Sequence, residues 1–252
     1  MSSDKEILKV QANMLRLYGL QAHWAELTEE QQQWLSVWFN WELTERQQRS
    51  LERRLRSAKL GHFKPLAEFD WDWPQHIDQQ TIHELMQLTF FAEASNVILI
   101  GSNGVGKSTI AQNLAHQAVI EGHTALFITA ANMLSDLAAQ DGDNALRRRL
   151  KHYAQPDLLV IDEIGYLSYS NRHADLLFEI VNRRYEQRST VITTNRVFSE
   201  WNEVFPNSAC VVSLVDRLVH HSEILTIEGE SYRIKEAKEQ AEKRKPTRRG
   251  KN

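Results

Sequence analysis

Residues 97–108 read VILIGSNGVGKS, four apolar residues running straight into a glycine-rich loop that ends in Lys107 and Ser108. The apolar run has the length of a buried strand rather than a helix. The loop, GSNGVGKS at 101–108, fits G-x-x-x-x-G-K-[ST] without departure, and a helical pattern follows it over 107–121. That context gives the motif its meaning. Glycines let the backbone curl until its N–H groups point inward at phosphate oxygens, and the positive end of the next helix adds to the attraction. The expected contacts to a nucleotide are therefore Gly101, Ser102, Asn103, Gly104, Val105, Gly106, Lys107, Ser108 and Thr109. Lys107 is placed to reach the β- and γ-phosphates of ATP, and Ser108 to offer its hydroxyl to Mg²⁺.

Two further strand ends complete the pattern. In DLLVIDEIG, 157–165, four apolar residues precede Asp162 and Glu163. A strand buried on both faces belongs inside a parallel sheet, whose C-terminal ends gather around the loop. Asp162 is expected to hold Mg²⁺, directly or through water, and Glu163 to activate an attacking water as general base. In TVITTNR, 190–196, Asn195 ends the run, where a neutral polar side chain can orient that water. An asparagine at a strand end also serves turns. The three motifs together describe an ATPase built for hydrolysis; a small-molecule kinase calls for a lid and a substrate pocket as well.

Outward from this centre, the predicted strands are 97–100, 124–129, 158–161, 190–194 and 223–227, and helices are predicted at 107–121, 130–140, 143–154 and 171–187. Alternating elements of this kind give an α/β fold, a parallel sheet with helices on both faces. The expected domains are a helical segment 1–60, a linker 61–78 with two prolines, the nucleotide domain 79–235, and a basic, disordered tail 236–252. With one cysteine, Cys210, no internal disulfide framework or cysteine-rich zinc site is possible. Cys210 itself reads as a small buried residue. No run approaches 18 apolar residues and the start, MSSDKEILKV, is no signal peptide, so no membrane partner and a cytoplasmic protein are expected.

The net charge of −3 conceals local basic patches. Arg46, Arg49, Arg53 and Arg56 follow spacings of 3, 4 and 3, which align them on one helical face as a candidate phosphate-tracking stripe. The competing reading is a solvated face compensated by Glu45 and Glu52. Trp34, Trp38 and Trp41 recur at helical spacing and are expected to form the core of a small N-terminal bundle. Trp71 and Trp73, in the linker, are candidates for pinning the two domains together. Arg147, Arg148, Arg149 and Lys151 make a second basic cluster, facing DNA or solvent. His220 and His221 show no metal-ligand partner at useful spacing.

The order of phosphate loop, acidic strand, polar strand end and a late arginine resembles the AAA+ ATPases. NVILIGSNGVGKS, DLLVIDEIG, RRYEQRSTVITTN, VDRLVHHSEIL followed by GESYR, and the N-terminal WELTERQQRSLERRLRSAKL resemble the IstB-like transposition helper ATPases and their relatives, the DnaC-type helicase loaders. That resemblance covers almost the whole chain. It implies an AAA+ core, an ATP- and Mg²⁺-dependent homo-oligomer with ATP at subunit interfaces, and duplex DNA and a cognate transposase as partners. It also implies that Arg217 acts in trans, as an arginine finger on a neighbour's ATP; the competing reading on the pattern alone is a surface charge beside Asp216 or Glu223. Arg183, Arg184 and Arg196 are lesser candidates for nucleotide or subunit contacts. About 35 residues follow Arg217, too few for the full helical lid of many AAA+ proteins, which supports a site closed by a neighbour and puts a second sensing arginine from the same subunit in doubt. The rival function is a helicase loader, and the blandest is a monomeric nucleotide-binding protein.

Overall fold

A computed structural model describes residues 2–166, 169–206 and 208–244. The chain divides into two compact units, residues up to Arg53 and residues from Arg54 onward.

The first unit holds α1 (Ser2–Met14), α2 (Tyr18–Ala22) and most of α3, a 30-residue helix over Glu29–Ala58. Its core is Leu8, Ala12, Leu15 and Phe39, with Leu20, Trp24, Leu35 and Leu43 packed against it. The tryptophan stripe is therefore not the core. Trp34, Trp38 and Trp41 remain 58%, 56% and 68% exposed. Leu35, Phe39 and Leu43 repeat every four residues one position further on, and that face is the one α3 turns inward. Two apolar faces with the same period lie side by side on this helix, and periodicity alone does not choose between them.

The second unit continues through α4 (Gln79–Leu85), β1 (Asn96–Gly101), α5 (Lys107–Ile120), β2 (Ala125–Thr129), α6 (Ala130–Ala138), α7 (Asp143–Ala154) and β3 (Leu158–Ile164). It ends with α8 (Asn171–Arg184), β4 (Ser189–Thr194), α9 (Trp201–Val204), α10 (Ser208–His220), β5 (Ser222–Ile227) and α11 (Tyr232–Arg244). The five strands pair in the order β2-β3-β4-β1-β5, every pair parallel. This is the α/β AAA+ architecture, with all strand C-termini at one end. On one face Ile98, Ile100, Leu159, Ile161 and Ile192 pack against α6, α7, α8 and α10. Strand side chains alternate, so Val97, Leu99, Val160 and Val191 turn to the other face, where α5 lies.

Two parts of the domain reading change. The segment 61–78 is no free linker. Asn113 on α5 accepts from the Leu66 N–H at 2.9 Å and donates to the Lys64 carbonyl, and His76 pairs with Glu228 in an antiparallel bridge. Its prolines break helical periodicity, yet its polar backbone groups find partners on the folded domain. The tail read as disordered from 236 is helical as far as Arg244, anchored by Lys235 on Asp70 at 2.7 Å and by an ion pair between Lys64 and Glu236. Composition alone cannot register such tertiary anchors. Residues 245–252 lie outside the described residues.

Candidate nucleotide site

The phosphate loop connects β1 to α5, and two of its glycines are used for what only glycine offers. Gly104 has φ +82°, and Ser231 lies where a side chain would begin; Gly106 has φ +104°, with the Phe69 ring in the same position relative to it. The loop is thus overlaid by the segment before α4 and by the start of α11, whose Tyr232 N–H donates to the Gly104 carbonyl at 2.9 Å.

Lys107 is buried, and its ammonium donates to the Gly101 and Ser102 carbonyls, each at 2.7 Å. Burial pulls its pKa down to about 8, against the pull of Asp162 and Glu163 in the other direction. Ser108 donates its hydroxyl to Asp162 Oδ1 at 2.8 Å. Thr193, on the neighbouring strand β4, donates to the same oxygen at 2.5 Å while accepting the Glu163 N–H at 2.9 Å. A serine hydroxyl and a buried carboxylate already in contact are a donor set suited to Mg²⁺, which favours hard oxygens and keeps several waters. The residues present therefore fit the ion that ATP brings with it.

Glu163 has an unusual backbone. Successive residues of a regular strand face opposite sides of the sheet, yet Asp162 and Glu163 both line the same cavity of about 520 Å³. The β3–β4 register explains this: Ile161 pairs with Ile192, but Ile164 pairs with Thr194, so β3 carries one extra residue. Glu163 takes φ +63° within that bulge. A left-handed non-glycine residue costs roughly 1–2 kcal/mol, and bulges commonly re-aim a side chain beside an active site.

Of the predicted loop residues, Asn103 through Thr109 line the cavity. Gly101 and Ser102 turn to the loop's own structure: Gly101 receives Lys107, and Ser102 donates to the Gly229 carbonyl at 2.9 Å. Asn195 follows the last residue of β4, and its Oδ1 is buried without a hydrogen-bond partner among the described residues. It stands outside the cavity lining. The structure adds Phe69, Trp73, Tyr166, Tyr232 and Arg233, which line the same space. Arg233 is an arginine of this chain that lines the site, at the place where the sequence puts a sensor from the same subunit in doubt. The signal for it was GESYR itself, a short motif whose last two residues open α11. Thr193 was legible only in the pairing of β4 with β3.

Arg217 lies elsewhere. The neighbouring Leu218 carbonyl accepts from Asn96 at the start of β1, whereas the phosphate loop follows the end of that strand. At about 3.3 Å per residue, a strand's length separates Arg217 from this chain's own loop, more than an arginine side chain spans. It stacks over Phe178 at 4.6 Å, and its Nη1 is buried without a hydrogen-bond partner among the described residues. Of the lesser arginines, Arg184 has a structural role in the fold. Arg184 is buried and donates to the carbonyls of Tyr153, Ala154, Pro156, Asp157 and Ser189. Arg183 pairs with Glu179, and Arg196 with Glu203 and the Gly165 carbonyl.

In the candidate DNA stripe, Arg46 pairs with Glu42 at 2.6 Å and Arg49 with Glu45 at 2.8 Å. Arg53 and Arg56 are exposed. In the other basic cluster Arg149 binds Asp136, while Arg147, Arg148 and Lys151 are exposed. Among the described residues no helix is long and apolar enough to cross a membrane.

Comparison with known proteins agrees with this geometry. The family described as IstB-like ATP binding protein matches residues 10–241. The chain is 36% identical over 236 residues to the ATP-binding protein of insertion sequence IS21 from Pseudomonas aeruginosa, covering 91% of this chain and 89% of that one. It is 35% identical over 204 residues to the ATP-binding protein of insertion sequence IS5376 from Geobacillus stearothermophilus, covering 81% of each. Among solved structures it resembles DnaI with a TM-score of 0.56 at 16% identity, over 65% of this chain and 90% of that one, a likeness of fold.

Proposed function

The chain belongs to the IstB-like ATP-binding protein family, and from that premise we propose that it is an ATP-hydrolysing helper of transposition that assembles through its nucleotide on duplex DNA. ATP binds in the cavity between the phosphate loop and α11, with Lys107 and Arg233 facing its phosphates. Ser108 and Asp162 hold Mg²⁺, which supplies charge neutralisation to the transferred phosphoryl group. Glu163, re-aimed by the bulge, takes the proton of the attacking water, and Asn195 orients that water. Thr193 fixes Asp162 and the Glu163 backbone together, so the two carboxylates keep their separation.

The observation that carries assembly is the place of Arg217. A half-buried, incompletely bonded guanidinium, a strand's length from its own loop, is of use to a nucleotide only if that nucleotide belongs to another subunit. Each subunit then completes its neighbour's site, and ATP becomes the joint of a multimer. Arg46, Arg49, Arg53 and Arg56 supply phosphate contacts along the duplex. The glutamates beside Arg46 and Arg49 do not forbid this, since exposed pairs of this kind are worth about 0.3–0.5 kcal/mol and exchange readily. The assembled protein recruits the cognate transposase. The insertion-sequence relatives favour this reading over a helicase loader.

The test is a mixing experiment. Lys107→Met and Arg217→Ala proteins are each assayed for ATP hydrolysis on plasmid duplex DNA, alone and together, with electron microscopy of the same samples. Each alone is expected to be inactive, and the mixture to recover part of the activity, because an intact loop meets an intact arginine at some interfaces. A mixture no better than its components, with wild type monomeric on DNA, would return Arg217 to an ordinary helix charge.

A further inference from the structure

His220 and His221 have no partner at useful sequence spacing, but the fold supplies one. Glu186 sits in the turn after α8, and its Oε1 lies 3.6 Å from His221 Nε2 and 3.9 Å from His220 Nδ1. The ligand atoms of the three residues all fall within 4.8 Å of one another. We propose that Glu186, His220 and His221 form a binding site for a divalent first-row transition metal ion, zinc foremost.

The local backbone makes this convergence possible. Adjacent residues within a helix diverge by about 100°, so two consecutive histidines do not ordinarily serve one ion. Here α10 ends at His220 and the chain turns at His221 into β5, which brings the two rings to 4.0 Å between centroids. Glu186 takes φ +54°, a conformation glycine or asparagine would adopt more cheaply.

The distances favour a cation over a simple ion pair. At 3.6 and 3.9 Å the carboxylate is too far from either ring for a hydrogen bond, and exposed pairs of this kind stabilise little. Metal–ligand bonds of about 2.0–2.1 Å at a tetrahedral angle place ligand atoms about 3.3–3.4 Å apart. The two Glu186 contacts reach that spacing by movements of about 0.2–0.6 Å, and the third ligand pair already lies within 4.8 Å. His220 Nδ1 now meets the Tyr185 hydroxyl at 2.8 Å, a hydrogen bond that metal binding exchanges for a coordinate bond. Two imidazoles and one carboxylate suit zinc, cobalt or nickel, and the fourth position is open to water. The ion would tie the turn after α8 to the end of α10.

Cobalt titration of the untagged full chain, in excess Mg²⁺ and ATP, tests the site through visible absorbance, with zinc competing. One equivalent of cobalt is expected, giving the intense bands of a four-coordinate ion, displaced by zinc at equal stoichiometry. Alanine at Glu186, at His220 or at His221 is each expected to weaken binding at least ~10-fold, since even outer-shell changes cost about that much. His152→Ala serves as control and is expected to bind as wild type. All three target residues are exposed, and retained ATP binding by each variant shows that it has folded. No saturable binding below about millimolar, or binding unchanged in any of the three variants, would overturn the site.

Discussion

Two buried cations stand at opposite ends of the same sheet, and their surroundings differ in kind. Lys107, at the C-terminal end, donates to two carbonyls of its own loop, beside an open cavity. Arg184, at the N-terminal end, donates to five backbone carbonyls and the Thr190 hydroxyl, and closes the space between α7, β3 and β4. Burial lowers the pKa of both. The fixed fork of a guanidinium can saturate a ring of carbonyls, whereas an ammonium on a flexible stem can let go of two and reach a phosphate. One cation is therefore part of the fold and the other is held in readiness.

The same substitution at both positions would break this contrast or sharpen it. Arg184→Met keeps an apolar stem and strips six acceptors of their donor. At about 1–3 kcal/mol for each buried group left unmade, the loss approaches the whole stability of a domain. The expected result is insoluble protein or no cooperative thermal transition; a melt within a few degrees of wild type would show that water replaces the guanidinium. Lys107→Met should behave in the opposite way. Its folded pKa is depressed, so the charged form is the one disfavoured by folding below pH 8, and removing it should leave the melting temperature unchanged or higher. Nucleotide binding, measured by calorimetry, should fall by on the order of 10²–10³. Glu163→Gln comes next. Hydrolysis should drop about 10²–10⁴-fold, the range of a lost general base, while ATP binds as before. An equal loss of binding would mean that the bulge had collapsed and that Glu163 serves the loop's structure.

The site was more legible in the sequence than the first unit was, for a physical reason. The loop, Asp162 and Glu163 are fixed by local chemistry: glycines where the backbone must curl, acids where a buried strand ends. The bulge that puts both acids in one cavity was not legible, because it exists only in the pairing of β3 with β4. The tryptophan face misled because Leu35, Phe39 and Leu43 offer the same period one position away, and only the partner helix selects between them. The 61–78 segment and the start of α11 were underread for a related reason. Their prolines and charges look like tether and tail, yet Phe69, Trp73, Tyr232 and Arg233 meet at the site from segments about 160 residues apart.

The smallest effect expected is also the most specific to Lys107. Without nucleotide its amine titrates near pH 8, held there by burial. Phosphates placed against it favour the charged form, so its pKa rises on binding. Below pH 8 the lysine is protonated in both states, and affinity should not vary with pH through this group. Above pH 8 the free protein has lost the proton that the complex retains, so binding must take one up. Affinity should then fall by at most about tenfold per pH unit, because one pKa unit is worth about 1.4 kcal/mol. Calorimetry at pH 8.5 in two buffers of different ionisation heat measures the proton directly. Uptake of roughly three-quarters of a proton, nearly absent at pH 7 and absent in Lys107→Met, would show that the buried ammonium is held weakly enough to exchange its carbonyls for phosphate. No uptake would mean that Lys107 keeps its charge in the empty site, and its two carbonyls would then hold it as firmly as the ring around Arg184 holds the guanidinium.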